Sequence, residues 1–379
     1  MTQKNKKILM VFIEPTPYIL DLLEKGFYPI KDQLDIVFLA QNLTQQWDLK
    51  SRSISFDIMQ SWKQTFQLLH HIFIKRRYQL LHLAGWSNPL TILLIMTARI
   101  FFIPVTVESD TQLNKNLPFW KQAVKKIVYP ILFKFPNGFL PGGTRQAKYL
   151  SYYGVNDSKI TNAQMTVDVE YIRKYVDDIS FLKREEERLK YGALNDDVVF
   201  LFVGRLLDFK GIRELISAMK LIQDERAKLW IVGSGELMHE VQQSALSTRK
   251  IKYFGRITGD DLWKIYNAAD VFVLPSHAEA WGLVVNEAMA SRKPVIVTEG
   301  VGCVDDLVRH GQEGLIIQPK QVDSLCNAMY FMLENNEKRK IMAENASRHI
   351  SSWILQNEAN NMIFGWKKIA RTEVTNYVY

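Results

Sequence analysis

The chain has 379 residues, 47% hydrophobic and 23% charged, which is the composition of a globular protein large enough for two hydrophobic cores. Its two cysteines, Cys303 and Cys326, support neither a disulfide framework nor a metal site, and they suit a reducing cytoplasm. The most apolar stretch, 89–107, contains Arg99 and Pro104, which favours a buried helix followed by a strand over a membrane span. The opening residues lack the pattern of a signal peptide.

The net charge of +8 lies entirely in the first half of the chain. Residues 1–170 contain 20 lysines and arginines against 12 acidic residues, whereas the remainder contains 28 of each. This asymmetry predicts an anionic partner surface for the first half. We consider an anionic membrane leaflet for that surface, and we expect no nucleic-acid partner.

Short apolar runs in the first half alternate with helical patterns. The run 8–13 predicts a strand, a proline-punctuated loop follows it, and a helix is expected at about 19–25. Ligands of doubly wound sheets bind outside the carboxyl ends of the strands, so Glu14, Thr16 and Tyr18 are candidate binding residues. A rigid turn without a binding function is the alternative for this loop.

Two further predicted strands of the first half carry polar side chains near their carboxyl ends. The run 78–85 places His82 there, and the run 103–110 ends with Glu108 and Asp110. All three are therefore candidates for a site at the edge of the sheet. For a lone histidine such as His82, a hydrogen-bonded structural position is the alternative.

The segment 113–135 is basic and aromatic and contains no acidic residue. Lysines at positions 115, 121, 125, 126 and 134 alternate with large apolar side chains. This composition is typical of a helix that lies on a membrane surface. A helix that buries its apolar face in the domain core has the same pattern, so the sequence leaves both interpretations open.

A charged segment at 182–197 predicts a solvated helix that precedes a second domain. The runs VVFLFVG, KLWIVG, KYFG, DVFVLP, KPVIVT and GLIIQP follow, and each precedes a helical pattern. Such alternation predicts a parallel sheet with right-handed crossovers. The expected fold class is therefore α/β, with two doubly wound, Rossmann-like domains.

The stretch PSHAEAWGLVVNEAMA, residues 275–290, combines a strand end, a loop and the beginning of a helix. Glu279 lies in the loop, and Glu287 lies inside the predicted helix. The backbone N–H groups around Gly282 and Leu283 would suit a diphosphate, because they lie at a helix N-terminus and glycine permits close approach. Glu287 would face the same cleft and accept hydrogen bonds from sugar hydroxyls. A solvated loop and helix face is the alternative.

This stretch, together with KPVIVT, resembles the signature of retaining nucleotide-sugar glycosyltransferases, glycosyltransferase family 4 (glycosyl transferases group 1). Trp281 and Arg292 occupy positions where the family usually has phenylalanine and glycine. The resemblance implies the GT-B fold, in which two Rossmann-like domains face each other across a cleft, and it implies no metal or other cofactor. It also implies that Glu279 contacts the donor sugar and that Glu287 contacts the ribose.

The stretch VGRLLDFKG places Arg205 and Lys210 at the carboxyl end of a predicted strand. Their converging cations would offset the two charges of a diphosphate leaving group, which is the function that the resemblance implies. Two solvated loop cations are the alternative. Gly233 in the GSGE turn and Arg256 are further donor-binding candidates, although tight packing also accounts for the glycine.

The resemblance also implies a histidine or an acid that contacts the transferred sugar or the acceptor. Asp110 is the catalytic candidate there, beside Glu279 and the two cations of the second domain. Tyr18, His82 and Glu108 are the acceptor-side candidates.

The expected domains are 1–175, which binds the acceptor, and 176–357, which binds the nucleotide sugar, with a last helix at about 358–379 that crosses back. The expected activity is transfer, with retention, from a nucleoside-diphosphate sugar to a hydroxyl of a glycan or lipid-linked acceptor, in cell-envelope polysaccharide or glycolipid synthesis. The expected location is the cytoplasm or the inner face of the cytoplasmic membrane. A nucleotide-sugar epimerase of the same fold and a non-catalytic partner subunit are the alternatives.

Overall fold

The computed structural model describes residues 6–41, 53–113 and 117–370, and the chain forms two compact units. The first unit consists of Met1–Val167 and Leu355–Tyr379, and the second consists of Asp168–Ile354. The boundary near residue 168 lies before the expected 175/176. Its position follows from helix α6 (Val169–Asp177), which hydrogen-bonds to the second unit through Tyr171 and Arg173.

The first unit contains six strands and six α-helices within the described ranges, numbered in chain order. The strands are β1 (Lys7–Phe12), β2 (Leu34–Phe38), β3 (Asp57–Ile58), β4 (Tyr78–Ala84), β5 (Val105–Ser109) and β6 (Gly138–Pro141). The helices are α1 (Pro17–Asp21), α2 (Trp62–Leu69), α3 (Pro89–Ile100), α4 (Phe119–Leu132), α5 (Thr144–Tyr152) and α15 (Leu355–Ala370). The apolar stretch 89–107 is thus a helix followed by a strand, as predicted.

The second unit has the same composition of strands and crossover helices. Its strands are β7 (Val198–Val203), β8 (Ala227–Val232), β9 (Ile251–Tyr253), β10 (Val271–Leu274), β11 (Val295–Thr298) and β12 (Gly314–Ile317). Its remaining helices are α7 (Phe181–Lys190), α8 (Ile212–Leu221), α9 (Met238–Ser247), α10 (Asp260–Ala268), α11 (Leu283–Ala290), α12 (Val304–Leu307), α13 (Val322–Glu334) and α14 (Asn336–Ile350).

Both sheets are parallel, and both have the same strand order. The first runs β3-β2-β1-β4-β5-β6, and the second runs β12-β11-β10-β7-β8-β9. In each unit the order reverses beside the first strand, between β1 and β4 and between β7 and β10. This is the doubly wound arrangement with helices on both faces, so the prediction of two Rossmann-like domains is confirmed.

Alternate residues of β1 point into two separate cores of the first unit. Leu9 and Val11 pack with α2, α3 and α5, whereas Ile8 and Met10 pack with α1 and α15. The helix α15 is held in the second of these cores by Trp366, whose ring stacks on Phe27 at 5.3 Å between centroids. Residues 371–379 of the expected last helix lie outside the described residues. Within the described ranges, no helix is long and apolar enough to cross a membrane.

A buried ion network fastens α7 to the second sheet. Arg188 is 1% exposed and donates to Asp270 at 2.9 Å and to the carbonyl oxygen of Asp197 at 2.7 Å, while Arg184 donates to Asp270 at 2.8 Å. Burial opposes ionisation of Asp270, but the two guanidinium groups outweigh it and hold its pKa below the usual range. The expectation of a merely solvated helix at 182–197 was therefore wrong at Arg188.

Replacing Asp270 with asparagine is expected to destabilise the second unit by about 3–5 kcal/mol, because two guanidinium groups would lose their shared carboxylate. Urea unfolding followed by circular dichroism measures this change. The control is Asp261→Asn, which removes the exposed partner of Lys264 and should have a much smaller effect. Equal destabilisation by both variants would contradict the importance of the buried network.

Candidate functional site

The reversal of strand order places the loops after β7 and β10 on either side of a crevice at the carboxyl edge of the second sheet. The loop after β7 carries Arg205 and Lys210, and the loop after β10 carries Glu279. The structure joins these loops, since the backbone N–H of His277 donates to the carbonyl oxygen of Phe209 at 2.7 Å. This contact brings Lys210 and Glu279, 69 positions apart in sequence, to the same crevice.

Lys210 and Glu279 form an ion pair across this crevice. Lys210 ends a 3₁₀ turn (Asp208–Lys210) and is buried, and its ammonium group donates to the Glu279 carboxylate. A second contact ties the loop after β10 to the helix that follows the loop after β7. In this contact His277 Nε2 lies 2.8 Å from the Glu214 carboxylate of α8. The loop that carries Glu279 is thus fixed through both its backbone and its side chains.

A third loop, after β11, holds the backbone of Glu279. The N–H of Glu279 donates to Gly300 at 3.0 Å, and its carbonyl oxygen accepts from the N–H of Gly302 at 3.0 Å. Two residues further on, the carbonyl oxygen of Trp281 accepts from the N–H of Cys303 at 2.9 Å. The segment TEGVGC therefore forms one wall of the crevice, a contact that the sequence did not indicate.

The helix α11 begins directly after this loop. Gly282 precedes it with a φ of +101°, and a Cβ atom there would lie 2.9 Å from Val301, so glycine is required for both conformation and space. The N–H groups of the first helical turn have no acceptor within the helix, and Leu283 is its first residue. Trp281 is buried, and its indole N–H donates to Asn286 at 3.1 Å, which closes the turn.

Glu287 lies one turn into α11, against a tyrosine from α10. The hydroxyl of Tyr266, a buried residue, donates to Glu287 Oε2 at 2.8 Å. Burial raises the pKa of Glu287 to about 7, although the hydrogen bond from Tyr266 acts in the opposite direction. Near neutral pH this carboxyl group is therefore divided between its protonated and ionised forms.

The remaining donor-side candidates lie along the same sheet edge. Arg205 is exposed, and the N–H of its neighbour Leu206 donates to Ser234 at 2.9 Å. The N–H of Gly233 donates to the carbonyl oxygen of Gly255 at 2.8 Å. This bond joins the loop after β8 to the loop after β9, where Arg256 follows Gly255. A Cβ atom on Gly233 would lie 1.8 Å from the carbonyl oxygen of Gly204, so this glycine allows close packing of two strand ends.

The first unit has a cavity of about 300 Å³ at its own reversal of strand order. It lies at the carboxyl ends of β1, β4 and β5, where parallel sheets of this type bind ligands. Polar and aromatic side chains line it, among them Glu14, Thr16, Tyr18, Trp86, Glu108 and Asp110. Five of the residues singled out in the sequence are therefore brought together: Glu14, Thr16, Tyr18, Glu108 and Asp110.

His82 lies behind this cavity. It is completely buried, with Nδ1 at 3.0 Å from Thr106 Oγ1 and Nε2 at 3.4 Å from Glu108 Oε2. The geometry matches a hydrogen-bonded structural position in contact with Glu108, which lines the cavity. Burial of the His82 ring favours this structural alternative, and an acceptor-side contact of His82 stays a prediction.

A carboxyl group that the sequence did not indicate also lies near this cavity. Glu358 of α15 is buried and accepts from the N–H of Thr166 at 3.2 Å. Burial, reinforced by the charge of Glu108, raises its pKa well above the usual range. The same two causes raise the pKa of Tyr18 above that of a free phenol. The cavity is thus strongly acidic, and it favours ligands that donate hydrogen bonds.

Two residues of the crevice, Tyr266 and Glu214, could not be identified from the sequence. Tyr266 is 21 residues from its partner Glu287, and Glu214 is 63 residues from its partner His277. A hydrophobic pattern identifies helices but does not indicate which polar side chain on one helix meets another. Among the described residues, no group of three histidine, cysteine, aspartate or glutamate side chains is placed to hold a metal ion.

A model of the family described as glycosyl transferases group 1 matches residues 183–349, which include every donor-side candidate. The second unit belongs to this family. An uncharacterised glycosyltransferase of Methanocaldococcus jannaschii is 33% identical over 203 residues, covering 52% of this chain and 49% of that protein. The resemblance found in the sequence is thereby confirmed, and neither the epimerase nor the non-catalytic subunit is favoured.

A relative with wider coverage comes from Campylobacter jejuni. It is named N,N'-diacetylbacillosaminyl-diphospho-undecaprenol alpha-1,3-N-acetylgalactosaminyltransferase, and it is 24% identical over 84% of this chain and 86% of its own length. Against most of the other relatives, the chain spans about half of their length or less.

Solved structures match nearly the whole chain. Anabaena HepE in complex with UDP-glucose has a TM-score of 0.74 at 18% identity, covering 95% of this chain and 99% of HepE. WaaG, a glycosyltransferase involved in lipopolysaccharide biosynthesis, has a TM-score of 0.66 at 15% identity, with 94% and 98% coverage. The chain therefore has the GT-B fold that the resemblance implied.

The raised pKa of Glu287 predicts a pH-dependent stability. Its ordinary value is 4.5 and its folded value is about 7, so the folded state holds the proton more tightly. The free energy of unfolding therefore falls as the pH rises from about 4.5 to 7, and above pH 7 the folded state carries the full cost of ionising the buried Glu287. Glu287→Gln, which stays neutral, should gain up to about 3 kcal/mol relative to the wild type over this range.

Urea unfolding at pH 4.5, 6 and 8 measures this difference, with the exposed Glu337→Gln as the control. A constant difference between Glu287→Gln and the wild type across this pH range would show that Glu287 ionises normally.

Proposed function

We propose that this glycosyltransferase moves a sugar from a nucleoside-diphosphate sugar to a hydroxyl of a glycan or lipid-linked acceptor, in cell-envelope polysaccharide or glycolipid synthesis at the inner face of the cytoplasmic membrane. The observation that carries the proposal is the ion pair of Lys210 and Glu279, beside the N-terminus of α11. The diphospho-undecaprenol in the name of the Campylobacter relative and the UDP-glucose complex of HepE support the two substrate classes.

We assign the donor to the crevice of the second unit. Arg205, Lys210 and the N–H groups at Gly282 and Leu283 would neutralise the diphosphate, so the reaction needs no metal ion for this purpose. The Glu279 carboxylate would accept hydrogen bonds from the sugar hydroxyls while Lys210 holds it in place. The remaining donor contact, to the ribose, falls to Glu287.

The proposed reaction retains the configuration at the anomeric carbon. The bond from this carbon to the leaving phosphate oxygen breaks, and the bond to the acceptor oxygen forms on the same face. The proton of the acceptor hydroxyl passes to an oxygen of the departing phosphate, so no protein base is required. Cationic groups that meet the developing charge on the phosphate act mainly in the transition state.

We assign the acceptor to the acidic cavity of the first unit. The carboxyl groups of Glu14, Glu108 and Asp110 bring several oxygens that accept hydrogen bonds to this cavity. A sugar rich in hydroxyl groups is complementary to such a lining. Asp110, the exposed member of this group, is the one we expect to contact the reacting hydroxyl.

Incubation with labelled UDP-, GDP- and ADP-sugars and a lipid-linked acceptor tests the function. Transfer of the label, with the anomeric configuration of the product assigned by NMR, would support it, whereas isomerised or unchanged donor would contradict it. A thermal-shift screen with the same donors identifies the nucleotide, because a ligand at a hundred times its Kd stabilises the protein by about 2.7 kcal/mol. Repeating the assay in a chelator tests independence from metals.

Arg205→Ala and Lys210→Gln are expected to lower kcat by about a hundredfold or more, because each removes a cation from the leaving phosphate. Glutamine is chosen at position 210 because it can still donate to Glu279. Steady-state kinetics provide the measurement, and the exposed Arg249→Ala, which precedes the amino end of β9, is the control. Wild-type turnover by both site variants would remove these cations from the mechanism.

Glu279→Gln and Glu287→Gln should have different kinetic effects. A contact to the ribose is the same in the ground and transition states, so Glu287→Gln should raise KM for the donor more than it lowers kcat. A contact to the reacting sugar changes during the reaction, so Glu279→Gln should lower kcat more than it raises KM. If Glu287→Gln left donor binding and rate unchanged, the ribose assignment would be wrong.

A further inference from the structure

The helices of the first unit form two layers, one on each face of the sheet. The layer named here the acid-free layer consists of the segments 61–77, 89–103, 117–135 and 144–153, which contain α2, α3, α4 and α5. Their buried residues share one core with alternate residues of the strands. The opposite layer, made of α1 with its following turns and α15, shares the other core.

The charge of the two layers differs sharply. The acid-free layer contains eleven lysines and arginines and neither aspartate nor glutamate. In the opposite layer, the segments 17–33 and 355–370 contain four basic and four acidic residues. The excess positive charge of the first half of the chain is therefore concentrated on one face of the sheet.

The acid-free layer also exposes large apolar side chains. Trp62 is 89% exposed on α2, Phe102 is 92% exposed after α3, and Phe119 is 86% exposed on α4. In the opposite layer, by contrast, the exposed large apolar side chains among the described residues are Tyr28 and Phe364. Isolated exposed apolar residues are normal in proteins, but their concentration on one face marks an interaction surface.

The helix α4 has more apolar surface than the core covers. Tyr129 and Leu132 pack against the core, but Trp120, Ile127 and Ile131 are exposed, which favours the membrane-surface interpretation of this segment. Lysine side chains lie beside these apolar groups, with Lys121 over the ring of Trp120 at 5.3 Å and Lys126 over the ring of Tyr152 at 5.8 Å. Lys115 of this segment lies outside the described residues.

We propose that the acid-free layer binds to an anionic lipid leaflet as a surface, with α2, α3 and α4 all contributing. Aromatic and aliphatic side chains would enter the interfacial region, and the flanking cations would remain at the level of the lipid phosphates. The complementary charge selects a membrane as the occupant, because acidic groups are absent from all four segments. This surface deepens the proposed function and rests on its location at the membrane, but vesicle binding needs neither donor nor turnover, so its failure is distinguishable from failure of the transfer reaction.

Flotation of the full-length chain with vesicles tests the proposal. The chain should float with vesicles of phosphatidylcholine and phosphatidylglycerol in equal parts, but not with phosphatidylcholine alone. Binding should weaken strongly between about 0.1 and 1 M salt, since the Debye length falls from about 10 to 3 Å. Absence of binding to the anionic vesicles at low salt would overturn the proposal.

Two sets of lysine variants test whether vesicle binding depends on the acid-free layer or only on the net positive charge of the chain. Lys121, Lys126 and Lys134 are exposed, and changing all three to glutamine should weaken vesicle binding by on the order of a hundredfold, because each lysine contributes about fivefold. The matched control changes Lys25, Lys31 and Lys368 of the opposite layer to glutamine. It removes the same charge and should leave binding nearly unchanged, whereas equal losses in both sets would overturn the assignment of the surface.

Apolar variants test insertion itself. Trp62→Ser and Phe102→Ser, which lie outside α4, should each weaken binding, whereas Phe364→Ser in the opposite layer should not. Light scattering measures the alternative occupant, a second copy of this chain. A dimer in solution that dissociates in the Trp62→Ser and Phe102→Ser variants would overturn the proposal, even if the glycosyltransferase activity were normal.

Discussion

The reversal of strand order within each parallel sheet is the constraint on which the functional geometry depends. Right-handed crossovers carry the chain to one side of β1 or β7 and then to the other, so the loops on either side of the reversal diverge. Side chains at the carboxyl ends of β7 and β10 face one crevice for this reason, and those of β1, β4 and β5 face one cavity. The same topology thus produces a crevice with paired cations and carboxylates in the second unit and a cavity lined by carboxyl groups in the first.

Within the second unit, the ion pair of Lys210 and Glu279 fixes two opposite charges in the crevice that we propose binds the donor. Each side chain is largely buried, and each would be costly to leave unpaired. Because the pair is also braced by the loop after β11 and by His277, its charges are already oriented before any ligand arrives. Fixed charges that need no reorganisation during the reaction are the most effective way for a protein to stabilise a developing charge.

Much of this arrangement could be predicted from the sequence, and the remainder has identifiable physical reasons for its absence. Alternating apolar runs determine the strands, and position at a strand end brings Arg205 and Glu279 to one sheet edge. Pairings between helices, such as Tyr266 with Glu287, depend on helix rotation and packing, which periodicity does not specify. Arg188 shows a different limit of sequence patterns. The charged segment around it predicts solvent exposure, yet this arginine is buried with Asp270 as its partner.

The sequence left the segment 113–135 ambiguous, because an amphipathic pattern shows that a helix has an apolar face without showing what covers it. In the structure several large apolar side chains of α4 are exposed, and of the two helical layers on the same sheet only one excludes acidic residues, which supports the membrane surface that we propose. A lipid-linked acceptor is confined to a leaflet, so an enzyme bound to that leaflet meets it at a high effective concentration. Separation of the charges also serves this purpose. Glu14, Glu108 and Asp110 line the cavity, whereas the four segments of the layer that we propose binds the lipid phosphates contain no acidic residue, so attraction to the leaflet and the proposed recognition of sugar hydroxyls do not oppose each other.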